Sequence, residues 1–404
     1  VKKLIKVGIT DSIDSFIPIL MWTIMGIVYR NEKVAEGFII TYNLQFIFGI
    51  IFDIFVKGAI KYESKTKNNN YDYTKTGVLI TLILNVTIVI TCIFNIDLIQ
   101  NYFSIPGEDY KNIAIFGATT LLLDWVFYSI KLIYQYQDNN KKALKISVLW
   151  YTSKITSACI IGLLKFDLKT KLEITILVQL VIAITILLKN LRIKRIRLNI
   201  IEDVKYSMND VTSNVFMAII YIFGIHSLSY TSAALLSAYN IMTLCTDTQW
   251  DILASAVDTV TTIEVCKGNW EEKKKSYILN SLGYTAILQL SSIILIGLSH
   301  FIYKQVDFKD VWIMFILECA LMGFEAIMCV LEAYLVIQYP TVILPIVSII
   351  LHSIRVFFTV TLTFKYTISI AVAISSFIGA IAISMIYFIL RREKRELNGN
   401  RELI

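Results

Sequence analysis

An all-α polytopic membrane protein, with twelve transmembrane helices in two six-helix lobes related by a parallel pseudo-twofold repeat, is the fold class that the sequence predicts. Three observations predict it. Hydrophobic residues make up 56% of the 404 and charged residues 17%, with a mean hydropathy of +0.66, outside the range of a soluble domain. Twelve apolar stretches each approach the roughly 20 residues that a helical span needs. An acid followed thirty residues later by a base occurs once per half, Asp124 with Lys154 and Glu325 with Arg355, and both members shift by the same 201 residues.

The spans fall near 8–29, 35–60, 77–97, 112–136, 143–164, 172–191, 207–228, 232–257, 277–303, 310–337, 341–364 and 367–390. Span one carries Pro18, with Asp11 and Asp14 near its start. Span two, FIITYNLQFIFGIIFDIF, resembles ALLSAYNIMTLCTDTQWDIL of span eight, so that Tyr42-Asn43 corresponds to Tyr239-Asn240 and Asp53 to Asp251. Span four and its following turn, LLLDWVFYSIKLIYQYQ, match MGFEAIMCVLEAYLVIQ of span ten in apolar pattern, with Gln137 against Gln338 and Ser147 against Ser348. Six spans per copy send both copies into the membrane in the same direction, which makes the repeat parallel. The domains are then an N-terminal lobe at 1–188, a cytoplasmic linker at 189–205, a C-terminal lobe at 206–391 and a cytoplasmic tail at 392–404. The linker, KNLRIKRIRLNIIEDVK, reads as a partly helical strap along anionic headgroups, or as a charged loop that only fixes topology.

Basic residues orient the chain. With the N-terminus cytoplasmic, 26 Lys and Arg fall in inside segments and nine in outside loops, the remaining three (Lys131, Lys154, Arg355) lying within spans. Both termini are therefore expected in the cytoplasm of a plasma-membrane protein. The same bias accounts for the net charge of +7, which is spread over alternate loops and suits anionic lipid rather than nucleic acid. The six cysteines mostly lie within spans and form no CxxC spacing, so they read as apolar fillers rather than a disulfide or zinc framework. Asp11 and Asp14 in the first apolar run argue against a cleaved signal peptide. An enzyme is not expected. The three histidines, His226, His300 and His352, are isolated, and no phosphate-binding loop appears. Energy must come from an ion gradient or from the substrate itself.

Charge inside the spans carries the functional reading, because an unpaired charge there costs about 2.5–3.5 kcal/mol on insertion scales. Asp124 and Lys154 reach the same depth on antiparallel neighbours, as do Glu325 and Arg355. Each pair is either a bridge that fixes packing or a latch that a cation opens. Acids beyond these pairs are concentrated in the C-terminal lobe. Glu318, Glu325 and Glu332 recur every seven residues on span ten, where the first half has Gly117 and Lys131 opposite the outer two. Span eight adds Asp247, Asp251 and Asp258. The candidate cation-coupling or substrate residues are Glu318, Glu325, Asp210, Asp247, Asp251, Tyr239 and Asn240, with Na+ expected at Glu318, Glu325 and Asp251. Asp258 and Glu332 are expected to face a solvated cytoplasmic entrance. Aromatics such as Trp22, Trp125, Trp150, Trp250 and Trp312 would suit an amphipathic organic cation, and equally suit helix packing and the membrane interface.

The stretch DTVTTIEVCKGNWEEKKKSYIL, residues 258–279, resembles the multidrug and toxin extrusion (MATE) family, in which the second helix of each half runs into a Gly-containing turn and a charged segment. Gly268 and Asn269 would form that turn and Glu271 to Lys275 the charged segment, with Gly58-Ala59 as the first-half remnant. Pro18 is also common in that family. The resemblance implies two bundles, a coupling ion (Na+ or H+) and no other cofactor, a small organic substrate and a monomer in the lipid bilayer. It also implies a cation held by acids of helices seven, eight and ten. The family's acid in the middle of the first helix is missing here, which argues against an N-lobe cation site. The leading expectation is a cation-coupled exporter working by alternating access. A flippase for lipid-linked oligosaccharide and a transport-inactive scaffold are the alternatives.

Overall fold

The computed structural model describes residues 2–31, 34, 45, 48–67, 70–98, 107–231, 233–302, 306–319, 321–340, 343–361 and 366–401. Residues 35–44, 46 and 47 of span two, Tyr42 and Asn43 among them, lie outside these, as do the side chains of Asn240 and Asp247. The described residues are almost wholly helical. In order they form α1 (Lys2–Tyr29), a π-helical turn (Asp53–Gly58) running into α2 (Ala59–Lys65), α3 (Asp72–Phe94), α4 (Glu108–Tyr136), α5 (Asn140–Gly162) and α6 (Leu168–Asn190). Then come α7 (Ile200–Thr231), α8 (Ala233–Cys266), α9 (Trp270–Ile302), α10 (Phe308–Cys319), α11 (Met322–Gln338), α12 (Ile343–Thr361) and α13 (Thr367–Arg401).

These helices turn their apolar side outward. On α6, Leu177, Val181, Ile184 and Leu188 are exposed, while Thr175 and Gln179 are buried on the opposite face. That pattern is the reverse of a helix in water and suits hydrocarbon as the surrounding medium. Seven helical stretches among the described residues are long and apolar enough to cross a bilayer.

Two compact units emerge. One comprises residues 9–215 and the other residues 1–8 with 216–404. In the first unit α4 is central and packs on α3, α5 and α6. Its core holds Phe127 stacked on Trp150 at 3.9 Å between ring centroids, and a second cluster joins Met21, Trp22 and Met25 of α1 to Phe116 of α4 and Leu172 of α6. In the second unit α8 packs on α9, α10 and α11, and α13 on α11 and α12.

Helix ends follow local chemistry. Asn139 caps α5 by accepting from the Lys142 amide at 3.3 Å, and Asp167 caps α6 by accepting from the Thr170 amide at 3.2 Å. At the end of α8, Gly268 takes a φ of +80°. Its amide donates to the Val265 carbonyl at 3.0 Å and the Asn269 amide to the Glu264 carbonyl at 3.1 Å, a Schellman closure. The chain turns at Gly268 and Asn269 as the family resemblance implied. Span ten, expected as one helix, is interrupted. Cys319 ends α10 and Met322 starts α11, and the Cys319 carbonyl accepts from Gln289 Nε2 of α9 at 2.6 Å.

Candidate functional site

The densest buried polar network lies in the first unit, between α1, α4 and α5. Asp11 and Asp14, three apart, share a face of α1. Asp124, Tyr128, Lys131 and Gln135 follow at four, three and four residues, one stripe along α4. Ser147, Trp150, Tyr151 and Lys154 do the same on α5.

Lys131 sits between two carboxylates. Its Nζ donates to Asp11 Oδ1 at 2.8 Å and also pairs with Asp14, while Gln135 Nε2 donates to the same Asp11 oxygen at 2.9 Å. The Tyr128 ring lies 4.0 Å from the ammonium, a cation–π contact. Lys131 is 1% exposed and Asp11 2%. About two helical turns along α4, Lys154 donates to both oxygens of Asp124 at 2.7 and 2.9 Å, and Trp150 Nε1 donates to Asp124 Oδ1 at 2.7 Å. The Asp124 pair is balanced, one acid to one base. In the Asp11–Lys131–Asp14 triad one lysine is shared by two carboxylates. Asp11, buried, and Asp14, both near the start of the first helix, gather around it.

A second cluster lies on the π-helical turn. Asp53 pairs with Lys57 at 3.0 Å and accepts from Asn214, and Lys61 donates to Asp210 at 2.9 Å. Asp210 belongs to this cluster. It was expected among the C-terminal acids, but the first turns of α7 belong to the unit of residues 9–215, and its carboxylate is held by a lysine of α2. Close by, Glu63 accepts from the Tyr73 and Thr74 amides at 2.9 and 3.0 Å and closes the start of α3.

In the other unit, Glu318 is 3% exposed near the end of α10 and accepts from Ser369 Oγ at 2.8 Å. Tyr239 is buried with Phe315, Cys319 and Ile368 of the same core. Glu325, in the first turn of α11, lies 4.0 Å from Arg355. Arg355 instead donates to Ser375 and, at 3.2 Å, to Ser376. This pair is looser than its repeat mate Asp124–Lys154. Asp251 lies on an exposed face of α8, opposite Ile252, Leu253 and Ala256 in the core. Asp258 and Glu332 are half-buried.

Among the described residues no group of three or more His, Cys, Asp or Glu is placed to hold a metal ion. Glu318, Glu325 and Asp251, the residues expected to hold Na+, lie on α10, α11 and α8. The seven-residue stripe was drawn on a continuous helix, whereas Glu318 lies on α10 and Glu325 on α11, with Leu321 in a turn before the latter.

At the end of α8, Glu264 gathers Lys3, the Asn269 side chain at 3.0 Å and the Tyr277 hydroxyl at 3.1 Å. Burial pushes its carboxyl up, but hydrogen bonds from Lys3, Asn269 and Tyr277 and the charge of Lys3 outweigh that and bring it down to about 2. A depressed carboxylate stabilises the fold above its ordinary value of 4.5, and that contribution is lost as pH falls from there to about 2. Glu264→Gln should therefore flatten the fall in melting temperature across this window. The expected difference is about 1 kcal/mol after solvent screening, read by thermal unfolding in detergent at stepped pH.

No family model matches the sequence, and no curated protein matches it. Solved structures do resemble it. A MATE crystallised in complex with MaD3S is 16% identical over 97% of each chain, with a TM-score of 0.72. The outward-facing conformation of a multidrug resistance MATE family transporter of the MOP superfamily is 16% identical, over 98% of this chain and 96% of that one, with a TM-score of 0.72. A MOP superfamily transporter from Pyrococcus furiosus, described by the reverse polarity of its binding pocket, is 17% identical over 96% of each chain, with a TM-score of 0.73.

Proposed function

We propose that this chain, which has the fold of the MATE transporters, is a secondary transporter that exports organic compounds, cationic or amphipathic, in exchange for H+ or Na+. In this reading it crosses the plasma membrane twelve times with both termini in the cytoplasm and works by alternating access. The observation that carries the coupling is the triad, where Lys131 is shared by Asp11 and Asp14. With an ion or proton bound the triad is neutral and suits a closed, dry lobe. Without it the extra charge favours a state that water reaches, so binding biases one conformation over the other. Glu318, buried beside Ser369, is the second candidate coupling group.

An anionic lipid-linked sugar as substrate fits less well. Lys131, Lys154 and Arg355 each face a carboxylate within 4.0 Å, which opposes their capture of phosphate.

The test is transport of a cationic dye by protein in liposomes under imposed H+ or Na+ gradients. Wild type should move the dye only with a gradient. Asp14→Asn should lose at least about tenfold of the gradient-driven rate, equivalent to about 1.4 kcal/mol, while Asp251→Asn keeps it. Loss in Glu318→Gln with wild-type behaviour in Asp14→Asn would move the coupling site to the other unit. No gradient-driven movement of any such dye would remove the exporter reading.

A further inference from the structure

Between α6 and α7 the chain combines exposed aliphatic side chains with a run of bases. Residues 191–199 form no regular element and α7 begins at Ile200. Ile196 is 78% exposed and Ile201 80%, with Leu198, Ile200 and Val204 also open. Arg192, Lys194, Arg195, Arg197 and Lys205 alternate with them. Of the two acids in the stretch, Asp203 is buried and Glu202 faces Lys205 at 3.6 Å. The outward surface is thus basic and aliphatic together.

Its level along the unit is fixed at three points. It leaves the last turn of α6 at Asn190. The Arg197 amide donates to Thr76 Oγ1 in α3 at 3.0 Å, and the Arg197 guanidinium lies 5.8 Å from the Tyr73 ring. Asn199 Oδ1 then accepts from the Glu202 amide at 3.4 Å as α7 starts. The stretch is therefore level with the ends of α3 and α6, both long and apolar enough to cross a bilayer. At that level, aliphatic side chains meet the boundary between headgroups and acyl chains, and bases meet lipid phosphate.

We propose that residues 191–208 form an interfacial strap that binds an anionic membrane leaflet, with Ile196 and Ile201 entering the acyl boundary and Arg192, Lys194 and Arg195 engaging lipid phosphates. Charge complementarity selects the lipid surface over a second copy of the chain, since two such basic stretches repel.

The test is amide hydrogen exchange of the 191–199 stretch in the full chain, in nanodiscs of phosphatidylcholine alone or with phosphatidylglycerol added. Several bases near an anionic surface should slow exchange by about tenfold or more in the anionic discs. High salt should reverse the slowing. Ile196→Ser/Ile201→Ser should also lose it while melting as wild type does, since both side chains are largely exposed. Equal exchange in the two lipids would overturn the proposal, and so would slowing confined to discs holding two copies.

Discussion

Lys131→Met is expected to cost about 3–5 kcal/mol of stability, seen as a lower melting temperature in detergent and a smaller monodisperse fraction. The lysine is 1% exposed and touches two carboxylates. Removing it leaves two like charges buried beside each other, with Gln135 still donating to Asp11. The same change at Lys154 should cost less. It strands one carboxylate, and Trp150 Nε1 still donates to Asp124 at 2.7 Å. The triple variant Asp11→Asn/Asp14→Asn/Lys131→Met should recover most of the loss, because neutral side chains of similar volume replace a buried ionic group at little cost. A Lys131→Met protein that melts with wild type would mean that the triad is not closed around that ammonium.

Gly77→Ala is the second large effect. A Cβ at position 77 of α3 would fall 1.7 Å from the Phe55 carbonyl oxygen and 2.7 Å from its carbon, both backbone atoms of the π-helical turn. Backbone cannot rotate away as a side chain does, so the cost should reach or exceed the upper end of overpacking, about 3 kcal/mol. Gly268→Ala is the contrast. That glycine has nothing within 4 Å and needs only its φ of +80°, so the expected loss is about 1–2 kcal/mol. Melting temperatures of the two variants side by side separate crowding from backbone strain; equal losses would mean that α3 does not approach the turn so closely.

The Asp124–Lys154 pair could be read from spacing because it straddles a tight turn at nearly equal distances. Asp124 and Lys154 lie about as far before Asp138 as after it, so antiparallel helices bring them level. The turn at Gly268 came from the family resemblance, and its left-handed backbone is what a glycine at a helix end accommodates. The triad was harder. Asp11 and Asp14 lie near the start of their helix, away from the mid-helix place of the family's acid, and Lys131, which Asp11 meets, lies 120 residues on in α4. The available signal was Lys131 itself, a base within a span and in line with Asp124, Tyr128 and Gln135. Asp210 was assigned by its position in the sequence, and packing assigns the start of α7 to the earlier helices. The carboxylate stripe of span ten looked continuous because periodicity alone does not register the turn at Leu321 that precedes α11.

Residues 200–215 complete the first unit, and residues 1–8 belong to the second. The second body is thus split in the sequence, and the first, though continuous, runs on past the linker into α7. During synthesis the earlier one cannot finish until the opening turns of α7 have been made, and the later one must wait to capture a piece that left the ribosome first. Cleaving the gene within the linker would give fragments that each lack a portion of their own structure, so the halves should require co-expression to accumulate.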